Sequence, residues 1–580
     1  MPHNGEMTTG RLDPAERARA LDRLEHGELD VLVIGGGVVG AGAALDAASR
    51  GLTVGLLERR DWAAGTSSRS SRLAHGGLRY LEQFEFGLVH EALTERGLLL
   101  ETLAPHLVRG VPFLLPLTKG WERPYIGAGV AVYDMLSRVS RKGGALPGHR
   151  HLSRKAALRL APALRPDSLT GAIGYFDAQI DDARHTLALV RTAVAHGAYA
   201  VNGVEATGFL RDGERVVGVE ARDAETGRAL MIRARRVIGA TGVWTEDTRA
   251  LLGGADVEAL PVRPSKGVHL VVARDRIDSR TAVITRTPTS VLFLLPWGAH
   301  WLVGTTDTPY DGDRDEPEAT EADVAYLLEQ ANRWLVDPLT RSDVIAVYAG
   351  LRPLLAGTSA HQPVDDETAR LSREHAVVEP APGFVSIAGG KYTTYRVMAA
   401  DVVDAAVEGL AGDVPESRTQ SLRLVGAEGF TELMGQCAFL GAEHGLTEPE
   451  VRRLLHRYGG TVGEVLALAE ADPDLGGRLH PESPVLRCEI VYAVTHEGAL
   501  GMQDVLARRT RLALQVRDGG RSVAAEVAAL IGPVLGWDAE RQAREAAAYA
   551  ASPIGQVALD EPAPDQPAPD QPAPPATQAS

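Results

Sequence analysis

Six consecutive residues, Gly35-Gly36-Gly37-Val38-Val39-Gly40, constrain the fold of this chain more than any other segment. They follow an apolar, β-branched run at 30–34 and precede an alanine-rich stretch at 41–49, which indicates a strand, a tight turn and a helix. A second apolar run, 52–57, ends at Glu58. The pattern therefore predicts a compact βαβ unit.

The spacing of the glycines is typical of a dinucleotide site. Gly35 allows the tight turn, Gly37 lets a pyrophosphate approach the backbone, and Gly40 lets the helix pack on the strand. Glu58 is placed to accept hydrogen bonds from ribose hydroxyls and to repel the 2'-phosphate of NADP. The turn alone does not distinguish FAD from NAD, because both cofactors use it.

Composition limits the remaining possibilities. A chain of 580 residues predicts two to four folding units. Its segment 1–28 lacks the apolar core of a signal peptide, and no apolar run is long enough to span a bilayer, so we expect a cytoplasmic protein. A net charge of -16 disfavours binding to nucleic acid. The two cysteines, Cys437 and Cys488, are too few and too far apart for a metal or redox motif, so we interpret them as packing residues and expect no metal.

The order of apolar patterns predicts an α/β fold with a discontinuous cofactor domain. A buried strand is expected at 236–240, whereas 291–296 and 301–304 resemble strands of an antiparallel sheet that binds substrate. Helical patterns dominate after residue 405. We predict an N-terminal extension at 1–28, discontinuous cofactor-binding and substrate-binding domains at 29–405, a helical domain at 406–555, and a disordered Pro-rich tail at 556–580.

A long motif at 66–82, TSSRSSRLAHGGLRYLE, closely resembles the FAD-dependent glycerol-3-phosphate dehydrogenases. Further similar segments follow in that family's order: ATGVW at 240–244, KGVH at 266–269, GTTD at 304–307, GLRP at 350–353 and GGKYTTYR at 389–396. LHRYG at 455–459 and DVLARRTR at 504–511 resemble the family's helical domain. The resemblance covers about 29–550 and implies a Rossmann-like FAD-binding domain of the amine-oxidase type with an inserted antiparallel sheet and a C-terminal helical domain.

The resemblance also implies which residues bind FAD. Small and hydroxylated side chains suit a backbone that lies against a flat ring, and a helix start after Gly389-Gly390 can direct N–H groups at the flavin. Together with the glycine turn and Glu58, the expected cofactor-binding residues are Thr66, Ser67, Ser68, Ser71, His75, Gly76, Gly77, Thr241, Gly242, Gly390, Lys391 and Thr393.

The implied reaction is the oxidation of sn-glycerol 3-phosphate to dihydroxyacetone phosphate by hydride transfer to FAD. Arg79, Arg352 and Lys391 are the expected phosphate ligands, with Tyr80 and Thr305 as neighbours. The departing hydroxyl proton needs a base. We favour His269, with His75 as its rival, and Arg352 as the residue that could stabilise a developing alkoxide.

The electron acceptor is left open by the sequence. The family resemblance implies a membrane quinone or, in a related branch, oxygen. Between 117 and 150, basic residues interleave with Trp121, Tyr125 and other apolar side chains, which favours peripheral contact with anionic lipid at the inner face of the cell membrane, where a lipid-soluble quinone would be reached. A buried helix with a solvated basic face would give the same pattern. The alternatives are an oxidase that uses oxygen, a related amino-acid oxidase and a catalytically silent flavin-binding scaffold. The oligomeric state, including a homodimer, is not fixed.

Overall fold

The computed structural model describes residues 10–77, 85–139, 146–253, 260–288, 291–355, 374–408 and 410–554. The predicted substrate residues Arg79 and Tyr80 and the predicted tail at 556–580 lie outside these ranges. The strands, in chain order, are β1 Glu28–Ile34, β2 Val54–Glu58, β3 Leu73–Ala74, β4 Val108–Leu117, β5 Arg150–Ser153, β6 Gly171–Ile180, β7 Tyr199–Asn202, β8 Val204–Asp212, β9 Arg215–Asp223, β10 Ala229–Gly239, β11 Val262–Ala273, β12 Ala282–Arg286, β13 Val291–Trp297, β14 His300–Gly304, β15 Thr308–Pro309, β16 Val344–Leu355, β17 His375–Ala381 and β18 Phe384–Gly389.

The α-helices connect and cover these strands, and seven of them form the C-terminal part. They are α1 Pro14–His26, α2 Val38–Ser49, α3 Phe86–Leu98, α4 Glu122–Val139, α5 Arg154–Leu160, α6 Asp182–Ala195, α7 Thr245–Leu251, α8 Glu321–Asn332, α9 Tyr395–Val407, α10 Phe430–Gly435, α11 Cys437–His444, α12 Glu448–Tyr458, α13 Val462–Ala471, α14 Arg487–Thr495, α15 Ala524–Leu535 and α16 Ala539–Ala551.

The first sheet carries the predicted βαβ unit. Strands β18, β10, β1, β2 and β7 are neighbours in that order and run parallel. Helices α2, α6 and α9 cover one face, and α1 packs its buried Leu24 against the other. Because parallel strands are buried on both faces, they read as continuous apolar runs, which is why the sequence revealed them.

The second sheet is mostly antiparallel, and its strands come from two insertions. Strands β3 to β6 lie between β2 and β7 of the first sheet in the chain, and β11 to β16 lie between β10 and β17. The hairpin of β13 and β14 and the long pairing of β11 with β16 are antiparallel, whereas β12 pairs with β4 in parallel. The predicted inserted sheet is thus confirmed.

The C-terminal region is helical, as predicted, and has its own apolar clusters. Cys437 and Cys488 are free thiols buried in one of them, and no group of His, Cys, Asp and Glu side chains among the described residues is arranged to hold a metal ion. Buried ion pairs join this region to the first sheet: Arg508 and Arg509 bind Asp61, which follows β2. The helical region is therefore anchored beside the glycine turn.

Candidate active site

A cavity of about 400 Å³ extends from the glycine turn to the inserted sheet. Volumes of this order are typical of cofactor and small-molecule sites. Most of the residues predicted from the sequence line it: Gly35, Gly37, Glu58, Thr66, Ser67, Ser71, His75, Thr241, Gly242, His269, Arg352, Gly390, Lys391 and Thr393. The fold thus brings together residues that lie more than three hundred positions apart in the chain.

The glycine turn has the geometry that a dinucleotide phosphate needs. Gly35 adopts a positive φ of 110°, and Gly37 is the N-cap of α2. A Cβ atom on Gly40 would lie 1.9 Å from the carbonyl oxygen of Gly35, so only glycine allows α2 to pack this closely on the turn. Gly40 therefore acts behind the cavity wall, where it sets the position of the helix start.

Glu58 ends β2 beside this turn. Its carboxylate accepts hydrogen bonds from the backbone N–H groups of Gly36, at 2.7 Å, and Arg60, at 2.8 Å. Burial raises the pKa of the Glu58 carboxyl, and these two hydrogen bonds oppose the rise. Each carboxylate oxygen retains capacity for a further donor, which is what a ribose diol would supply.

A segment that we name the serine loop, residues 66–71, forms the wall between the two sheets. Ser67 Oγ accepts a hydrogen bond from the backbone N–H of Val38, at 2.9 Å, at the start of α2. Thr66 Oγ1 donates to the carbonyl of Leu351, at 2.6 Å, and so ties the loop to β16. The loop is fixed by both sheets rather than solvated.

His269 lies on β11 between β14 and β16 and is 2% exposed. Its Nε2 atom lies 2.9 Å from Ser71 Oγ, and its ring stacks on Tyr348 with centroids 4.9 Å apart. Its Nδ1 atom is buried and has no hydrogen-bond partner among the described residues. Burial, together with the positive charges of Arg352 and Arg72, lowers the pKa of His269 to about 3. The imidazole is therefore neutral at physiological pH.

Glycine makes room for this ring. Gly304 is directly opposite His269 across the β11–β14 pairing. A Cβ atom there would lie 2.4 Å from His269 Cδ2. Strand alternation also explains why Lys266, in the same motif, faces away from the cavity and pairs with Asp323 of α8 at 2.7 Å.

Arg352 is held at the cavity wall by several acceptors. Its Nη2 atom donates to Thr305 Oγ1 and to the carbonyl of Thr306, both at 3.2 Å, and its Nη1 atom lies 3.4 Å from the Asp307 carboxylate. The guanidinium is thus oriented before any ligand arrives. Thr305 is 7% exposed and meets the cavity through Arg352.

Four further predicted residues lie behind the lining. The Gly76 N–H donates a hydrogen bond to the phenol oxygen of Tyr133 at 3.0 Å, and Gly77 adopts a positive φ of 76°. Ser68 directs its carbonyl toward Arg511, and Gly40 packs behind the turn. These four residues therefore shape the cavity through the course of the backbone rather than through side chains that line it.

Sequence reasoning did not assign Trp244, which lines the cavity beside the glycine turn. The guanidinium groups of Arg59 and Arg60 lie 5.1 and 5.6 Å from its ring centroid. In the sequence, Trp244 is marked only as the last residue of the ATGVW motif at 240–244. Its contact with residues that follow β2 depends on the parallel pairing of β1 with β10 and β2.

Comparison with known proteins agrees with this geometry. Residues 30–396 match the family model described as FAD dependent oxidoreductase, and 417–542 match the C-terminal domain of alpha-glycerophosphate oxidase. The chain is 52% identical to a glycerol-3-phosphate dehydrogenase of Mycobacterium leprae over 93% of this chain and 90% of that protein. It is 36% identical to the mitochondrial glycerol-3-phosphate dehydrogenase of Mus musculus, over 92% of this chain and 74% of that one.

A solved structure resembles the whole chain. The glycerol-3-phosphate dehydrogenase of Bacillus halodurans complexed with FAD has a TM-score of 0.75 and 31% identity, over 93% of this chain and 97% of that one. The dithionite-reduced L-alpha-glycerophosphate oxidase of Mycoplasma pneumoniae with FAD bound, at 18% identity and a TM-score of 0.51, shares the fold. The glycine turn, Glu58 and the serine loop fit FAD. The chain belongs to the family of FAD-dependent glycerol-3-phosphate dehydrogenases.

Proposed function

We propose that this chain oxidises sn-glycerol 3-phosphate to dihydroxyacetone phosphate and passes the electrons to a membrane quinone. The observation that carries the proposal is the single cavity that joins a dinucleotide turn to His269, Arg352 and Lys391. The family membership, through relatives named for this substrate, supports it over an amino-acid oxidase.

FAD, when bound, supplies the acceptor for the hydride. Gly37 and the start of α2 would hold its phosphates, Glu58 its ribose, and the serine loop with Gly390 and Thr393 its ring. These residues exclude water from one wall of the cavity and leave the side that carries His269 and Arg352 for the substrate.

The substrate phosphate requires cations in the same cavity. Arg352 presents a planar guanidinium whose orientation Thr305, Thr306 and Asp307 already fix, so little side-chain freedom is lost on binding. Lys391 follows Gly390 in the lining of the same cavity. We assign phosphate binding to these two cations. Arg79 remains a predicted third phosphate ligand, and Tyr80 remains a predicted neighbour.

The hydroxyl proton needs an acceptor as C2 loses its hydride. Ser71 Oγ and His269 Nε2 lie 2.9 Å apart, and we assign the hydroxyl as the donor, which makes Nε2 the lone-pair atom of the neutral ring beside a cavity-lining hydroxyl. We propose that His269 Nε2 takes the proton while the C2–O bond becomes the carbonyl. Arg352 stabilises the negative charge that develops on this oxygen.

The quinone assignment is supported by α4. Along this helix and its start, from 121 to 137, where the side chains are described, the exposed positions are apolar or aromatic: Trp121, Pro124, Tyr125, Ala128, Ala131 and Met135. Trp121, Tyr125 and Met135 are 60%, 58% and 57% exposed, and Lys119 and Arg150 lie exposed nearby. No helix among the described residues has the length and hydropathy to cross a bilayer. We propose that this face rests on the inner face of the cell membrane, where anionic lipid attracts the cations and the quinone is reached.

Vesicle binding and acceptor assays test this part. Trp121→Ala should weaken binding to anionic vesicles and lower turnover with a vesicle-embedded quinone, while turnover with a water-soluble dye stays unchanged. Phe439→Ala is the matched control, because Phe439 is 67% exposed on the helical region. Equal effects of the two substitutions, or equal binding to neutral and anionic vesicles, would contradict the proposal.

The second candidate is an oxidase that passes electrons to oxygen. It is favoured by the match of 417–542 to a domain described for alpha-glycerophosphate oxidase. Hydrogen peroxide formed in proportion to substrate consumed would identify the oxidase. Turnover that requires quinone, with little peroxide in air, would identify the dehydrogenase.

A further inference from the structure

Arg511 of the helical region is a buried cation that reaches the serine loop. It is 1% exposed and adopts a positive φ of 65°, which is uncommon for a side chain of this size. Its Nη1 atom donates to the carbonyl of Ser68 at 2.9 Å, and its Nη2 atom binds the carboxylate of Asp182 through Oδ1. One guanidinium thus links the C-terminal region, the serine loop and the start of α6.

Asp182 passes this constraint to Ser70. Its second oxygen, Oδ2, accepts hydrogen bonds from the Ser70 N–H at 3.0 Å and from Ser70 Oγ at 2.7 Å. The carbonyl of Ser70 accepts from the hydroxyl of Tyr348 at 3.0 Å. The backbone N–H, the hydroxyl and the carbonyl of Ser70 are therefore all fixed.

The next residue, Ser71, contacts the histidine that we assign as base. Ser71 Oγ lies 2.9 Å from His269 Nε2, and Tyr348 stacks on the His269 ring. The path from Arg511 through Asp182 and Ser70 thus ends on both partners of His269. Arg511 itself does not line the cavity that holds His269.

We propose that Arg511 is a positioning residue for this active site: through Asp182 and Ser70 it holds Ser71 and Tyr348, and so fixes the orientation of His269. The helical region then contributes, through Arg511, to the positioning of the catalytic His269. A lysine at this position keeps the charge but cannot donate to the Ser68 carbonyl and the Asp182 carboxylate in one plane. The loop would shift although the charge balance is preserved.

Arg511→Lys in the FAD-loaded protein tests this proposal. At saturating glycerol 3-phosphate, the rate of flavin reduction should fall about 10²-fold, because a displacement of about 1 Å at a reacting group has an effect of this size. The substrate concentration that gives half the maximal rate should change less than about threefold. Hydrogen exchange followed by mass spectrometry should show faster exchange at 66–77, with the rest of the chain as in the wild type.

Arg509→Lys is the matched control. Arg509 is two residues away and is 2% exposed. It also forms an ion pair between the helical region and the rest of the chain, but its partner is Asp61, at 2.7 Å, and this pair does not involve the serine loop. It should reduce flavin within about threefold of the wild-type rate and leave exchange at 66–77 unchanged. If both substitutions slow the reaction equally, or if exchange rises throughout the chain, Arg511 has only a structural role and the proposal is overturned.

A second variant covers the case in which Arg511→Lys does not fold. Ser70→Ala interrupts the same path at its other end and should slow flavin reduction about tenfold with faster exchange at 66–77. A wild-type rate and wild-type exchange in Ser70→Ala would overturn the proposal. The kinetic part rests on the proposed function. If glycerol 3-phosphate fails to reduce the wild-type flavin, that function fails, while the exchange measurement still decides the positioning role.

Discussion

Replacement of His269 by glutamine tests the chemistry assigned to this site. General-base catalysis contributes about 10²–10⁴-fold, so the rate of flavin reduction by glycerol 3-phosphate should fall by this factor, or about 3–5 kcal/mol in activation free energy. Substrate affinity should change little, because Arg352 and Lys391 rather than His269 are assigned to the phosphate. The assay is stopped-flow reduction of the bound flavin without oxygen, over a range of substrate concentrations.

The loss of a buried ring also destabilises the fold, so the variant needs a matched control. His106 is likewise 2% exposed, and burial lowers its pKa to about 3, but it packs on Phe430 away from the cavity. His106→Gln should lower the free energy of unfolding comparably and leave the reduction rate within about threefold. A His269→Gln rate within tenfold of the wild type, or equal slowing in both variants, would refute the assignment.

Three further predictions concern the cofactor site and acid stability. Glu58→Gln replaces a carboxylate that accepts at both oxygens with a single carbonyl oxygen beside the Gly36 N–H. Since a lost hydrogen bond to a charged group costs about 1.5–3 kcal/mol, FAD should bind roughly 10- to 100-fold more weakly in titrations of the apoprotein. Unchanged affinity for FAD would contradict this role of Glu58. Gly40→Ala places a methyl group against the Gly35 carbonyl oxygen and so displaces the start of α2 from the glycine turn. The visible absorbance of the purified variant should therefore show little bound FAD. Full FAD occupancy would show that α2 can move without loss of the site. Burial lowers the pKa of three histidines to about 3, whereas the unfolded chain protonates them near pH 6.5. The free energy of unfolding should therefore be highest above pH 6.5 and fall with the pH below it, by up to about 4 kcal/mol per pH unit. Denaturant unfolding at pH 7.5 and 5.5 checks this, and equal stability at the two pH values would contradict it. The three histidines are His106, His185 and His269.

The fold was predictable where local patterns carry the information. The glycine turn, the apolar strands around it and the helix at 182–195 follow from periodicity and turn chemistry, because parallel strands and helix starts have local signatures. The pairing of β11 with β16 has no such signature, since partners such as Ser265 and Arg352 meet only through the sheet register. The predicted domain boundary near 405 stays a prediction.

The candidate site was predictable mainly through the family resemblance. Motif matching identified His269 and Arg352 but not the two contacts of His269, because Tyr348 and Ser71 reach this ring from a different strand and from the serine loop. The buried path from Arg511 was also invisible. DVLARRTR at 504–511 resembled the family's helical domain, yet nothing in the sequence indicated that its last arginine reaches the serine loop.

Oxidation of glycerol 3-phosphate by FAD in this cavity can be seen in the visible spectrum of the purified, FAD-loaded protein. The spectrum is recorded without oxygen before and after addition of glycerol 3-phosphate or of unphosphorylated glycerol. We expect glycerol 3-phosphate to bleach the oxidised flavin band and glycerol at the same concentration to leave it unchanged, because the cations of the cavity are matched to the phosphate. A flavin that stays oxidised with glycerol 3-phosphate, or that glycerol bleaches equally well, would contradict it.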